Sequence, residues 1–365
     1  MNPQTQFCPN RECSASGQVG GGNIGIHSRS ENRYRCHVCH KTFSATHGTA
    51  LYRVKHEADV FIKVSTLLAY GCPVQAVVKA FNVDERTVTN WLQRSGVHCQ
   101  QVHEAIIGTA KLDLGQVQAD EIKVKVQGGS VWMALAEAVP YRLWLGGVVS
   151  VKRDLDLIQR LVALVVALAL CRPLLLAADG FASYVRAFQE GFRSPLPSTG
   201  RGRPRLRPWD DLAIVQVVKH TTAATLTIQR RIVQGSAATV ERLLGATQGG
   251  GQINTAYIER LNATFRQRLA SLTRRSRALA RQPQTLSAGM FLIGTVYNFC
   301  TYHNSLALEL LISPRRRRWL RRTPTITAGL TDHCWTVAEL LRFKVPPSAY
   351  VPPKRRGRPP KAALP

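Results

Sequence analysis

Apolar positions recur at helical spacing between residues 57 and 96. Val60, Val64, Leu67 and Leu68 share one face of a first helix that ends near Gly71. Pro73 suits the first turn of a second helix, which runs to Phe81. Asn82 and Val83 form a short turn, and Asp84 is an N-cap for a third helix. This helix buries Val88, Trp91 and Leu92 and ends before Gly96. It leaves Arg86, Thr87, Thr89, Asn90, Gln93 and Arg94 exposed. A helix, a short turn and a second helix with a polar N-terminal face is how a recognition helix enters the DNA major groove. An ordinary helical hairpin with a solvated face has the same pattern.

Beyond a spacer around 109–115 the period changes to two. The runs 116–126, 131–139 and 142–150 read as an antiparallel meander. An apolar helix over 154–170 leads to a strand over 174–178, and Asp179 ends that strand, where open α/β sheets commonly place functional groups. Further strands fall at 213–219 and 224–232. Alternation puts Asp120 on a face with Ile122, Val124 and Val126, and Glu121 on the other face with Lys123 and Lys125. An ionised Asp among apolar neighbours is costly unless a cation compensates it. Asp120 is therefore the expected metal ligand, and Glu121 a solvated partner of the lysines. On a later helix from 256, Glu259, Asn262 and Arg266 fall on one stripe. A carboxylate, an amide and a guanidinium so placed can hold metal and phosphate together. Asp120, Asp179 and Glu259 can thus hold Mg²⁺ or Mn²⁺ against a phosphodiester. From Glu259 to Arg281 there are seven arginines and one acid, too few acids for a salt-bridged surface helix.

Charge points to the partner. The 365 residues hold 49 Lys+Arg against 22 Asp+Glu, a net charge of +27. This excess favours a polyanion such as DNA. A membrane is the weaker expectation: the chain lacks a basic amphipathic anchor and an apolar span of about 18 residues. The longest apolar run, 161–171, stops at Arg172-Pro173 and reads as a buried helix. The N-terminus lacks a secretory apolar region, so a cytoplasmic protein is expected, with nine cysteines serving as thiols or metal ligands rather than disulfides. Cys8 and Cys13, then Cys36 and Cys39, form two pairs across a Gly-rich gap. Four such thiolates suit Zn²⁺, and a segment this poor in apolar core favours a metal over four unrelated thiols in a flexible arm. Cys72, Cys99, Cys171, Cys300 and Cys334 read as packing residues.

The Arg-Gly-Arg-Pro core of an AT-hook occurs twice, at 201–204 and 356–359. Extended arginines around a Gly can enter the narrow minor groove of A·T tracts. Arg356 and Arg358, set among prolines and basic residues, make the tail copy the stronger candidate against a solvated tail. Residues 315–318 are four arginines that either bind phosphate or stay solvated.

Together these residues resemble a family, the DDE transposases of bacterial insertion sequences, and most of all the insertion-sequence-one family. The resemblance is carried by the cysteine pairs, the helix-turn-helix and Ala119-Asp-Glu121. It continues through Asp179-Gly-Phe-Ala-Ser-Tyr184 and the long Tyr257-Ile-Glu-Arg-Leu-Asn-Ala-Thr-Phe-Arg-Gln-Arg-Leu269. Leu272-Thr-Arg-Arg275 and Tyr297-Asn298 also fit, so it covers roughly residues 6–310. It implies an α/β fold, a ribonuclease-H-like mixed sheet with flanking helices, preceded by a small zinc ribbon and an all-α helix-turn-helix domain. The corresponding boundaries are 1–50, 51–108, 109–312 and a basic extension with an AT-hook-like tail over 313–365. It further implies a Mg²⁺-dependent polynucleotidyl transferase with Asp120, Asp179 and Glu259 as triad, supported by Asn262 and Arg266. DNA would be held by Arg86, Thr87, Asn90 and Arg94. The partners implied are terminal inverted repeats and target DNA, with at least a dimer assembled on DNA ends and the protein associated with bacterial DNA. The departures are a wider first cysteine pair, a single continuous reading frame and the basic extension. The alternative function is a noncatalytic DNA-binding regulator derived from a transposase.

Overall fold

The computed structural model describes residues 1–196, 204–221, 226–272, 282–313 and 316–347. It divides into two compact units, Met1–Arg53 with Lys344–Pro365, and Val54–Phe343. The first unit holds a three-stranded antiparallel sheet of β1 (Ile24–Ser28), β2 (Arg33–Cys36) and β3 (Thr42–Ser44). Its small core is Cys8, Cys13, Ala15, Ile24, Tyr34, Cys36 and Phe43.

The second unit begins with three helices, α1 (Ala58–Ala69), α2 (Val74–Phe81) and α3 (Glu85–Ile106). Asn82 closes α2 in the left-handed region (φ 49°), a conformation Asn tolerates, and the Asp84 carboxylate accepts the Arg86 and Thr87 N–H groups at the start of α3. The expected stop before Gly96 does not occur; α3 continues ten residues beyond it to Ile106. Gly96 is instead a crossing point. A Cβ there would lie 2.2 Å from the Ala288 carbonyl oxygen on α8 (Pro283–Cys300). A Gly inside a helical pattern is tolerated when close packing repays its cost.

Next comes the sheet: β4 (Gln116–Val126), β5 (Gly129–Ala138), β6 (Leu143–Ser150), then α4 (Leu155–Leu168), β7 (Leu174–Asp179) and α5 (Ala182–Gly191). A small hairpin, β8 (Arg193–Pro195) with β9 (Leu206–Pro208), precedes β10 (Leu212–Thr221), β11 (Leu226–Gln234), α6 (Ala237–Gln248) and α7 (Ala256–Arg268). The six-stranded order is β11-β10-β7-β4-β5-β6. The meander β4-β5-β6 is antiparallel, as the alternation predicts, and β7 and β10 run parallel to β4. The chain is α/β, with a mixed sheet and flanking helices compatible with a ribonuclease-H-like fold. Because helices flank the sheet, a strand residue is not solvated merely by pointing away from the first apolar face.

The helix α8 is apolar nearly all round and is buried along most of its length. Asn298 completes its contact with β6: its side chain accepts the Trp144 N–H (3.0 Å) and donates to the Trp144 carbonyl (2.8 Å). Beyond it, β12 (His303–Ser313) and β13 (Arg316–Arg322) form a separate ribbon. Then α9 (Pro324–Thr327) and α10 (Val337–Arg342) return to the body, burying Leu340 and Leu341. Of the five cysteines read as packing residues, Cys99 is buried, whereas Cys171 is exposed where the chain leaves α4. No helix among the described residues is long and apolar enough to cross a membrane.

Two outcomes follow. Gly96→Ala should destabilise the protein by about 1–3 kcal/mol or more through overpacking at Ala288. Gly245→Ala, on the open face of α6, should be neutral or slightly stabilising. Denaturant melts of both variants test the contrast. The second concerns Glu137, which is buried in β5 with Oε2 lacking a hydrogen-bond partner. Burial raises its carboxyl to about 7, against the opposing charges of Arg142 and Arg260. The folded state thus holds this proton more tightly than the unfolded chain, whose value is near 4.5. The associated stability is present below that value and lost as pH rises through about 7. Glu137→Gln should therefore match wild type at low pH and exceed it in melting temperature above pH 7.

Candidate functional site

The site is built outward from β4. Its parallel register with β7 pairs Gln116 with Leu175 and Gln118 with Ala177. Two residues further along each strand stand Asp120 and Asp179, on one face and at one level. Gln118 also sets the third element. Its Oε1 accepts the Tyr257 and Ile258 N–H groups (3.0 and 3.1 Å), and its Nε2 donates to the Asn254 carbonyl (2.8 Å). A strand side chain thus caps the N-terminus of α7, where Thr255 makes no side-chain cap bond. With that end fixed, the buried Asn262 donates to Asp120 Oδ2 at 2.7 Å.

Carboxylate oxygens of Asp120, Glu121 and Asp179 all lie within 4.8 Å of one another. Asp120 is half-buried, and its carboxyl is raised to about 6. Burial is the main cause, reinforced by the negative charges of Glu121 and Asp179; the Glu121 N–H and Arg266 act in the opposite direction. Asp179 Oδ1 accepts the Phe181 N–H at 2.9 Å, which turns the chain into α5. Gln216 on β10 donates to the Asp179 carbonyl at 3.0 Å.

Glu121 departs from expectation. It is not a solvated partner of lysines but 8% exposed, under α5. Its Oε2 accepts the hydroxyl of the fully buried Tyr184 at 2.8 Å, and its Oε1 accepts Arg153. Burial raises the Glu121 carboxyl, while Tyr184 and Arg153 partly offset it. Arg153 also reaches Asp179 Oδ2 at 3.4 Å and lies over the Phe181 ring, 4.2 Å from its centroid. Residue alternation alone misses Gln118, Glu121, Arg153 and Tyr184. Tyr184 has a sequence signal, since it closes the run that begins at Asp179.

Glu259 lies outside that three-carboxylate group. Its Oε1 accepts Lys219 Nζ (2.6 Å) and the Thr255 hydroxyl (2.7 Å). Burial works to raise its carboxyl, but these two partners prevail and lower it. Arg266 lowers both Asp120 and Glu259, so its charge serves both groups. The structure therefore joins Asp120, Asp179 and Asn262 directly, with Glu259 one helical turn before Asn262 on α7. The oxygen-rich donor set suits a hard divalent cation such as Mg²⁺. Asn262 Oδ1, buried and without a hydrogen-bond partner, is a further free acceptor.

In the first unit the Sγ atoms of Cys8, Cys13, Cys36 and Cys39 also lie within 4.8 Å of one another. Cys8 is 3.5 Å from Cys39, and Cys13 is 3.9 Å from Cys36. Burial raises Cys8 and Cys13 above the usual thiol range. Burial opposes ionisation of Cys39 too, but the Lys41 backbone N–H and the Cys8 thiol outweigh it and lower Cys39 to about 7. Four converging sulfurs in a small core are compatible with Zn²⁺.

On α3, Arg86 and Asn90 are exposed, while Thr87 and Arg94 are half-buried. Arg86, Thr89 and Asn90 line an open groove of about 1300 Å³ with Arg268, Leu269 and Ser271. Arg201 and Arg203 of the loop motif, Arg274, Arg275, Arg277, Arg281, Arg315, and Arg356 and Arg358 of the tail lie outside the described residues.

The purified full-length protein should contain one zinc per chain, and Cys36→Ser or Cys39→Ser should lose it. Zinc binding should release protons, because the raised thiols must ionise. A folded protein with no metal and four reactive thiols would contradict this. A scan of protein-family models found none that matches the chain, and a search of curated proteins found no match.

Proposed function

We propose that the protein is a DNA transposase of the insertion-sequence-one type. It would bind the terminal inverted repeats of an insertion sequence, cleave at the 3′ ends and join them to target DNA. The observation that carries this reading is the approach of Asp120 and Asp179 on adjacent parallel strands, with Asn262 of α7 donating to Asp120. The mixed six-stranded sheet with flanking helices, the three helices α1–α3 with the capped start of α3, the four converging cysteine sulfurs and the charge of +27 support the same reading.

Asp120 and Asp179 would hold Mg²⁺ or Mn²⁺ with Glu259 or the already adjacent Glu121. A divalent cation supplies Lewis-acid stabilisation of the phosphodiester and a more acidic bound water. Asn262 orients the Asp120 carboxylate. Arg266 and Lys219 place positive charge beside α7, where a DNA phosphate would lie. In cleavage, a water oxygen bonds to phosphorus and the bond to the 3′ oxygen breaks, leaving a 3′-hydroxyl and a 5′-phosphate. In joining, that hydroxyl attacks a target phosphodiester and displaces a new 3′-hydroxyl. Neither step needs a covalent protein intermediate. Arg86 and Asn90, exposed on α3, would read base edges in the terminal repeat.

The test is strand transfer by purified protein on cloned element ends with Mg²⁺. Asp120→Ala, Asp179→Ala and Glu259→Ala should each abolish product while leaving end binding within about threefold, a change of under 1 kcal/mol. Normal transfer by a single variant would remove that residue from the machinery. Specific end binding with no cleavage by wild type would favour the noncatalytic regulator.

A further inference from the structure

The ribbon β12–β13 stands apart from the six-stranded sheet and has unusual faces. Its register sets Leu308 opposite Leu320 and Leu310 opposite Arg318 on one face. Glu309 opposes Trp319 and Leu311 opposes Arg317 on the other, which Arg321 shares by alternation. Each face therefore mixes arginine with large apolar side chains, and beyond the buried Leu306 the leucines of both strands and Trp319 are exposed, Leu311 at 72% and Trp319 at 60%. An isolated two-stranded hairpin is marginal in water, and contiguous exposed apolar surface marks a site of association.

The faces constrain the partner. A flat partner, whether a membrane or one side of a protein, covers one face and leaves the other bare. A groove walls the ribbon on both. The charges select the kind of groove: Arg317, Arg318 and Arg321 are exposed, and the one carboxylate in either strand, Glu309, pairs with Arg317 at 2.7 Å. Duplex nucleic acid offers a row of phosphates on each side of a groove wide enough for a two-stranded ribbon. We propose that β12–β13 inserts into a groove of duplex DNA. Arginines of both faces meet the flanking phosphates, and Leu310, Leu311 and Trp319 lie against sugars and base edges. This rests on the reading of the protein as a DNA-binding transposase and adds a contact surface distinct from α3.

The experiment measures binding of full-length protein to a short duplex and to its single strand across a range of salt. Two variants are compared with wild type: Arg317→Ala/Arg318→Ala/Arg321→Ala and Leu311→Ser/Trp319→Ser. All five side chains are exposed, and matching circular dichroism checks that the fold is kept. The arginine variant should bind duplex at least about tenfold more weakly and flatten the salt slope by about 2–3. The apolar variant should weaken duplex binding with the slope unchanged. Both losses should be smaller on the single strand. Unchanged duplex affinity overturns the proposal, and so does an equal loss on both substrates, which marks a simple polycation. A fall in molar mass of the variants in light scattering, with DNA affinity intact, assigns the ribbon to a second copy and also overturns it. If wild type fails to bind duplex, the DNA reading itself falls; if wild type binds and the variants match it, only the ribbon's role falls.

Discussion

The parallel pairing of β4 with β7 is the contact on which the candidate site depends. Strands in parallel register bring equivalent positions to one level, so matching Gln118 to Ala177 places Asp120 beside Asp179 without any loop having to fold correctly. A slip of one residue would turn one carboxylate to the opposite face. The apolar run of β7, buried on both faces, and the alternation of β4 make such a slip costly. The same strand then fixes α7 through Gln118, so three separate stretches of chain answer to one register.

Electrostatics reinforce this arrangement. Three carboxylates crowd together in a chain that is basic almost everywhere else, and burial works against ionisation of Asp120 and Glu121. The protein meets that cost with nearby donors and cations: Asn262 on Asp120, Tyr184 and Arg153 on Glu121, and Arg153 again on Asp179. Arg153 is itself held over Phe181, so its charge stays at the cluster's edge. A divalent cation would meet the same need more strongly, and the oxygen donors of the cluster are compatible with one.

Much of this was legible in the sequence, and the failures have physical causes. Alternation predicts the meander, and Asp179 does end its strand. The helix pattern around Asp84 is present with its cap. The stop at Gly96 fails because the residue serves a helix crossing, a demand set by α8 nearly two hundred residues later. Glu121 is misplaced because alternation tells which face a side chain takes but not whether a helix covers that face. Gln118 carries no sequence signal, since an amide becomes a helix cap only once strand and helix meet. The ribbon β12–β13 escapes notice because its first strand is apolar on both faces and its second reads as a run of charge.

The most direct measurement is Mn²⁺ binding to the full-length protein, followed by electron paramagnetic resonance, for wild type, Asp120→Asn and Asp179→Asn. These substitutions keep shape and remove one charge each. If the β4–β7 register builds a shared cation site, wild type binds Mn²⁺ and both variants lose it, at least about tenfold in affinity, or 1.4 kcal/mol. Wild-type affinity in either variant would mean that the two carboxylates do not hold the same ion.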